Sequence, residues 1–393
     1  MVQQAQPRPL LNRRLAGLGT TIFAEMSELA VSTGSVNLGQ GFPDTDGPEQ
    51  IARAAADAIL SGRGNQYPPG AGIGELRTAI AAHQRRFYDL DVDPGTEVLV
   101  TAGATEAIAA ALLALVEPGD EVIAFEPYYD SYAACIAMAA GIRVPVTLRA
   151  PDFRPDLDEL RAAVTDRTRL ILLNSPHNPT GSVFTRAELT AIAELATASD
   201  LLVISDEVYE HMVFDGEHVP IASLPGMRER TVSISSAAKT FSFTGWKIGW
   251  ITATPDLVTA VRTVKQFLTF VSGGPFQYAI AEALAMPRDY FSGVAGSLAA
   301  RRDMMCDGLA AAGFEVYRPA GTYFITTDIR PFGESSGLDF CRKLPYQAGV
   351  VAIPSVVFYD NAEAGQTQVR FAFCKKVEVL AEALARLSAL RPG

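Results

Sequence analysis

Lys239 and Lys247 stand eight residues apart in "SISSAAKTFSFTGWKIGW" (233–250), among Ser, Thr, Gly and aromatic residues. The chain has 33 Lys and Arg residues, only six of them Lys, and Lys239 is the first in order. Elsewhere Arg supplies the solvated positive charge, so an amine here suggests chemistry that a guanidinium cannot do. A Lys desolvated in a pocket has a lowered pKa and can attack a carbonyl to form a Schiff base. The ordinary alternative is a solvated surface charge.

Lys239 follows an apolar run, and three other apolar runs also end in polar groups. They are Gly103–Thr105 after "EVLVT", Asn174–Asn178 after "RLILL", and Asp206–Tyr209 after "LLVIS". A carboxylate buried at Asp206 needs a cation. A protonated pyridine nitrogen would serve, and holding that proton makes the ring an electron sink; otherwise Asp206 caps a helix or turn. Tyr209 and Asn178 can donate to a phenolate oxygen. Gly103, Ala104 and Thr105 open an Ala-rich helix, whose free N–H groups and dipole suit a phosphate. Thr105 is otherwise a plain helix cap. Ser236 and Lys247 add phosphate donors, and Tyr129 can stack on a ring or simply fill the core or rim. Each assignment is weak alone, but the set describes pyridoxal phosphate.

These groups need elements that bring them together. Continuous apolar strands imply a sheet covered on both faces, and the strand–helix–strand order implies an α/β fold with a mainly parallel central sheet. Helices are expected over 104–116, over "SYAACIAMAA" and over "RAELTAIAELATAS", with strands at 97–103, 120–127, 201–209 and 231–239. Ligands of such sheets sit beyond the carboxyl ends of the strands. If the strands run parallel, the four polar ends share one edge. From about 285 the texture changes to a long helix, the strands "TYFITTDI", "VVAIP" and "QVRFAFC", and a last amphipathic helix, which read as a smaller α+β lobe. The expected division is an N-terminal arm with part of the small domain (1–45), a large cofactor domain (46–285) and a small C-terminal domain (286–393).

Composition narrows the function classes. The chain has 393 residues, 48% hydrophobic and 20% charged, as in ordinary globular proteins. A net charge of −11 argues against a nucleic-acid footprint. No apolar run approaches the roughly 20 residues that span a bilayer, and "MVQQAQPRPLLNRRLAGLG" lacks the apolar core of a signal peptide. The scattered Cys135, Cys306, Cys341 and Cys374 read as free core thiols of a reducing cytoplasm. "GAGIG" (70–74) has the wrong glycine spacing for a dinucleotide loop and reads as a mobile loop after Tyr67. His83, His177, His211 and His218 show no metal-ligand spacing.

The chain resembles the class I aminotransferases, pyridoxal-phosphate enzymes of fold type I, over nearly its whole length. The resemblance rests on "NLGQGFPD" (37–44), "NQYPPGAGIGELR" (65–77), "TAGATEAI", "EPYYDSY", "NSPHNPTG", "SDEVYE", "SSAAKTFSFTGWKIGW" and "VRFAFC", all in order. Within the family it is most similar to the kynurenine, glutamine and methionine aminotransferase branch. It is closer still to actinobacterial N-succinyldiaminopimelate aminotransferases, which share the "FAEMSELA", "NQYPPG", "GATEAIAAA" and "SSAAK" wording.

The resemblance implies a homodimer with shared active sites and ping-pong transfer of an amino group from an amino acid to a 2-oxo acid such as 2-oxoglutarate. Lys239 would bind the cofactor aldehyde and carry the 1,3-proton shift. Asp206 would pair with the pyridinium, Tyr209 and Asn178 would contact the phenolate oxygen, and Tyr129 would stack on the ring. Gly103, Ala104, Thr105, Ser236 and Lys247 would hold the phosphate, with Tyr67 reaching across from the second subunit. Arg370, otherwise a surface Arg, would clamp the substrate α-carboxylate as a fork, with Gly41 and Asn178 supporting it. The segment before Arg370 is shorter than in that branch. "VSGG" (271–274) replaces the bulkier aromatic groups of kynurenine-type members, and a smaller wall suits a longer or branched donor. β-Elimination from a cysteine conjugate is a second reading. A non-catalytic cofactor-sensing regulator is a third, disfavoured by the acidic charge and by the expectation that no DNA-binding domain precedes residue 1.

Overall fold

The computed structural model describes residues 10–16 and 21–390. Much of the N-terminal stretch read for a signal peptide therefore lies outside the described residues. No helix among the described residues is long and apolar enough to cross a membrane.

A seven-stranded sheet forms the centre. Its spatial order is Val98–Ala102, Ile248–Thr252, Thr231–Ser236, Leu202–Asp206, Thr168–Asn174, Glu121–Glu126, Ile142–Thr147. The last five run parallel. Both faces are covered, which is why the strands are continuously apolar. Leu170, Leu172 and Ile204 face one core, whereas Ile171, Leu173 and Val203 face another. Fully burying each such side chain stabilises the fold by about 1.5–3 kcal/mol.

Ile248–Thr252 is antiparallel to both of its neighbours. Its apolar run gives no sign of direction. The two reversals cancel, so Val98–Ala102 points the same way as the five parallel strands. The helix Gly103–Leu115 thus starts at the same sheet edge as the other three polar ends. Ala107, Ala110 and Ala111 are fully buried in that helix, and their small side chains let it lie close to the sheet.

A second, antiparallel sheet has the order Ile353–Pro354, Gln368–Ala372, Phe324–Asp328, Glu315–Tyr317. Val36–Asn37 pairs in parallel with Val350–Val351. One core cluster joins Met26, Ala30 and Leu38 of the N-terminal segment to Leu309, Leu344, Phe371 and Leu380. The register sets Arg370 opposite Thr326 on one side and Ile353 on the other, in the middle of this sheet. All four cysteines are buried free thiols.

Candidate active site

Ladder pairing aligns the site. Asn174 sits opposite Asp206, and Asp206 opposite Ile234, two residues before Ser236. Every proposed site residue except Tyr67 lines one cavity of about 340 Å³ at this edge.

Asp206 is 5% exposed, and no cationic side chain lies within ion-pair distance of it among the described residues. Tyr132 Oη donates to its Oδ2 at 2.6 Å, and the Val208 N–H donates to Oδ1 at 3.3 Å. Burial pushes its pKa from 3.8 up to about 6, against the pull of these two donors and of the Lys239 charge. Asn174 Nδ2 donates to the Asp206 carbonyl at 2.8 Å, fixing the backbone where the carboxylate projects.

Lys239 lies in the short helix Ala237–Thr240, directly after the strand ending at Ser236. Its Nζ stands 5.8 Å from the ring centroids of both Tyr209 and Tyr323. Burial depresses its pKa; Asp206 opposes this, and the charges of Arg370 and Lys247 add to it. Burial thus weakens the basicity of this amine, the direction that favours nucleophilic attack.

Arg370 is 2% exposed and reaches the cavity from the small sheet. Nη1 donates to Asn178 Oδ1 at 3.1 Å and Nη2 to the Gly39 carbonyl at 3.1 Å, while the buried Nε has no partner among the described residues. The guanidinium lies 4.0 Å from the centroid of the Phe324 ring. Burial lowers its pKa to about 10, so it stays charged near neutrality. Asn178 accepts from Arg370 through Oδ1, which leaves its amide N–H groups as donors. Gly41 packs so closely that a Cβ there would fall 2.5 Å from Phe324 Cζ, and its carbonyl accepts from Tyr323 Oη at 2.6 Å.

Also lining the cavity, Gly103 (φ +75°) opens its helix beside Lys247 (φ +55°). A Cβ on Gly103 would lie 3.4 Å from Lys247 Nζ, and one on Gly249 only 2.5 Å from the Gly103 carbonyl carbon. Among the described residues Lys247 makes no ion pair, and its amine sits at a helix start with Thr105 and Ser236 in the same cavity wall. The donor set fits pyridoxal phosphate: a buried carboxylate without a cation, an amide donor, and an unpaired ammonium at a helix N-terminus.

The remaining assignments fare differently. Tyr129 lines the cavity, its ring edge-on to Tyr132 at 5.9 Å. Tyr67 is 83% exposed and packs edge-on to Phe270 at 5.6 Å, outside the cavity of its own chain. The loop 70–73 is fastened rather than free: Val100 N–H donates to the Ala71 carbonyl, and Ile73 N–H to Gln277 Oε1. Two of the histidines, unpatterned in sequence, do converge with a carboxylate. Ligand atoms of His83, Glu210 and His211 all lie within 4.8 Å of one another. Each is already hydrogen-bonded: His83 Nε2 to His211 Nε2 at 2.7 Å, and the Glu210 carboxylate to Tyr88 Oη and Ser235 Oγ.

Sequence reasoning placed Asn174 at the site edge without a role, and it missed Tyr132, Tyr323 and Phe324. Only Tyr132 left a signal, lying one helical turn beyond Tyr129 in "EPYYDSY".

A mainly parallel sheet with Lys and Asp at its carboxyl edge, and a small lobe that brings an Arg into the same cavity, is the arrangement of the fold type I transferases. The family model of class I and II aminotransferases matches residues 33–387, and the chain belongs to that family and is an aminotransferase. It is 54% identical over 389 residues to a probable N-succinyldiaminopimelate aminotransferase of Mycobacterium tuberculosis, covering 96% of this chain and 98% of that one. The solved structure of the N-succinyldiaminopimelate aminotransferase from that organism superposes with a TM-score of 0.95 at 53% identity, covering 97% of this chain and all of the other. The methionine aminotransferase of Escherichia coli is 40% identical over 378 residues, covering 96% of this chain and 97% of that one.

Proposed function

We propose that this aminotransferase uses pyridoxal phosphate to move the amino group of N-succinyldiaminopimelate, or a donor of that shape, to and from 2-oxoglutarate. The observation that carries the reading is the convergence of a buried amine, Lys239, and a buried carboxylate without a cation within ion-pair distance among the described residues, Asp206, on one cavity with the guanidinium of Arg370. The cofactor, when bound, supplies an aldehyde for the amine and a ring that stores electrons. Asp206 would hold a proton on the pyridine nitrogen, and Tyr209 and the Asn178 amide would donate to the phenolate oxygen. Gly103, Ala104, Thr105, Ser236 and Lys247 would hold the phosphate, and Tyr129 would cover one ring face. Arg370 would orient the substrate α-carboxylate between its fork and the Gly41 backbone. Lys239 Nζ, kept weakly basic by burial, would take up the α-proton and return it.

Two copies would share each site, with Tyr67 of one completing the phosphate cradle of the other. The large exposure of the Tyr67 ring supports that reading. The divisions at 45 and 285 belong to the same proposal; the core cluster that joins Met26 to the C-terminal elements supports the first. The four free thiols support a reducing cytoplasm.

Lys239→Ala should abolish half-transamination by every donor. Full single-turnover activity in it, with no amine added, would defeat the reading. A panel of donors on the unmodified enzyme should favour N-succinyldiaminopimelate over methionine, glutamine and kynurenine. Release of pyruvate and ammonia from a cysteine conjugate without any 2-oxo acid would favour β-elimination instead.

A further inference from the structure

Two buried polar side chains each bridge the same pair of loops, beside the cavity rather than in it. Lys265 is 2% exposed and ends the helix Pro255–Lys265. Its Nζ donates to the Gly70 carbonyl at 3.2 Å and to the Phe270 carbonyl at 2.6 Å. Gln277 is 1% exposed, in the helix Gly274–Leu284. Its Oε1 accepts from Ile73 N–H at 2.9 Å, and its Nε2 donates to the Ser272 carbonyl at 2.6 Å. One loop thus holds Gly70 and Ile73, the other Phe270 and Ser272. Between them the backbones touch: a Cβ on Gly274 would fall 2.1 Å from the Gly64 carbonyl oxygen.

The second loop has another anchor. Thr269 Oγ1 donates to Glu106, whose other carboxylate oxygen accepts from Ala102 N–H at 2.6 Å. Both loops are thereby tied to the start of the helix that opens at Gly103. Burying an ammonium among carbonyls is costly where an apolar side chain would pack freely. The amine fixes two carbonyls at once, which an apolar chain cannot do. What the two loops carry outward is aromatic and exposed: Tyr67 and Phe267 at 83%, and Phe270 at 50%, with Tyr67 braced against Phe270.

We propose that Lys265 and Gln277 are positioning residues, which clasp the two loops into one rigid platform that presents Tyr67 to the active site of a second copy of the chain. The proposal rests on the shared-site homodimer above. An exposed ring on a free loop would lose ordering entropy on every docking; a clasped one does not.

Hybrid dimers test it. A Lys265→Met chain paired with a Lys239→Ala chain keeps one working amine, which faces an intact platform. A Lys265→Met/Lys239→Ala chain paired with an unsubstituted chain keeps one working amine facing a loosened platform. The second hybrid should bind pyridoxal phosphate about tenfold more weakly than the first, the loss of charged hydrogen bonds read as affinity. Lys265→Arg in place of Met should restore part of it. If the Met chain does not fold, Gln277→Glu replaces it, keeping the acceptor for Ile73 and losing the donor to Ser272. Equal cofactor affinity in the two hybrids would overturn the clasp. A control pair with Tyr67→Ala in place of Lys265→Met separates the readings. If Tyr67→Ala acts across the dimer and Lys265→Met does not, only the clasp fails; if neither does, the shared site fails with it.

Discussion

Tyr132 Oη lies 2.6 Å from Asp206 Oδ2, and this contact joins the helix Asp130–Met138 to the end of the strand Leu202–Asp206. Both residues are buried, so the hydroxyl has no water to turn to. The bond holds the carboxylate toward the cavity and favours its charged form.

Tyr132→Phe removes that donor and leaves the ring in place. The Asp206 pKa should rise further, and the acid limb of the kcat/KM profile should move to higher pH. A fall in kcat/KM of about tenfold is expected, the size of one hydrogen bond to a charged group. An unmoved acid limb would show that the hydroxyl does nothing for Asp206.

Asp206→Asn should separate stability from activity. Well below pH 3.8 the carboxyl is neutral in folded and unfolded chains and costs nothing. Between its ordinary 3.8 and its folded value of about 6 the unfolded chain releases the proton first. Stability therefore falls as pH rises through that window, by at most ~3 kcal/mol. Asn keeps one acceptor oxygen, for the Val208 N–H, and its amide N–H can donate to the Tyr132 hydroxyl oxygen in the place of the other. Urea unfolding of cofactor-stripped protein should find the Asn variant more stable at pH 8 and its advantage much smaller at pH 4, while its aminotransferase activity is lost. An equal difference at both pH values would refute the linkage.

How far the sequence revealed this site follows from what each residue's neighbours encode. Lys239, Asp206, Asn178 and Thr105 each follow an apolar run, and the edge of a parallel sheet gathers such ends without further information. The antiparallel Ile248–Thr252 was not legible in its direction, because an apolar run reads the same both ways. Tyr132 looks like any core aromatic until its hydroxyl finds a partner 74 residues away. Lys265 reads as the ordinary basic end of a helix, and its burial depends in part on a loop 195 residues away in sequence. His83 and Glu210 meet only through tertiary packing. Local pattern thus marks the ends of elements, whereas side chains that work between elements leave almost no trace in it.

Arg370→Lys keeps a positive charge but loses the fork. Its two hydrogen bonds, to Asn178 and to Gly39, diverge from one planar group, and an ammonium cannot reproduce them. The KM of an amino-acid donor should rise about 100-fold, two lost charged hydrogen bonds, with a smaller change in kcat. Cofactor affinity should stay within about twofold, because the proposed role of the guanidinium is to hold the substrate carboxylate and not the cofactor. An unchanged KM with a reduced kcat would place Arg370 elsewhere in the reaction.

Lys247 allows strain and function to be measured apart. Its φ of +55° is a left-handed conformation, which an L-residue adopts at a cost of about 1–2 kcal/mol. Glycine adopts it freely, alanine does not, and neither carries charge. Lys247→Gly and Lys247→Ala should therefore weaken pyridoxal phosphate binding by the same factor, about tenfold or more. In thermal unfolding of cofactor-stripped protein they should diverge, the Gly variant being the more stable by about 1 kcal/mol. That strain is tolerated where it sets the ammonium beside Gly103 at the helix start. Cofactor affinities that track the two stabilities, rather than the shared loss of charge, would mean that Lys247 shapes the turn and does not bind phosphate.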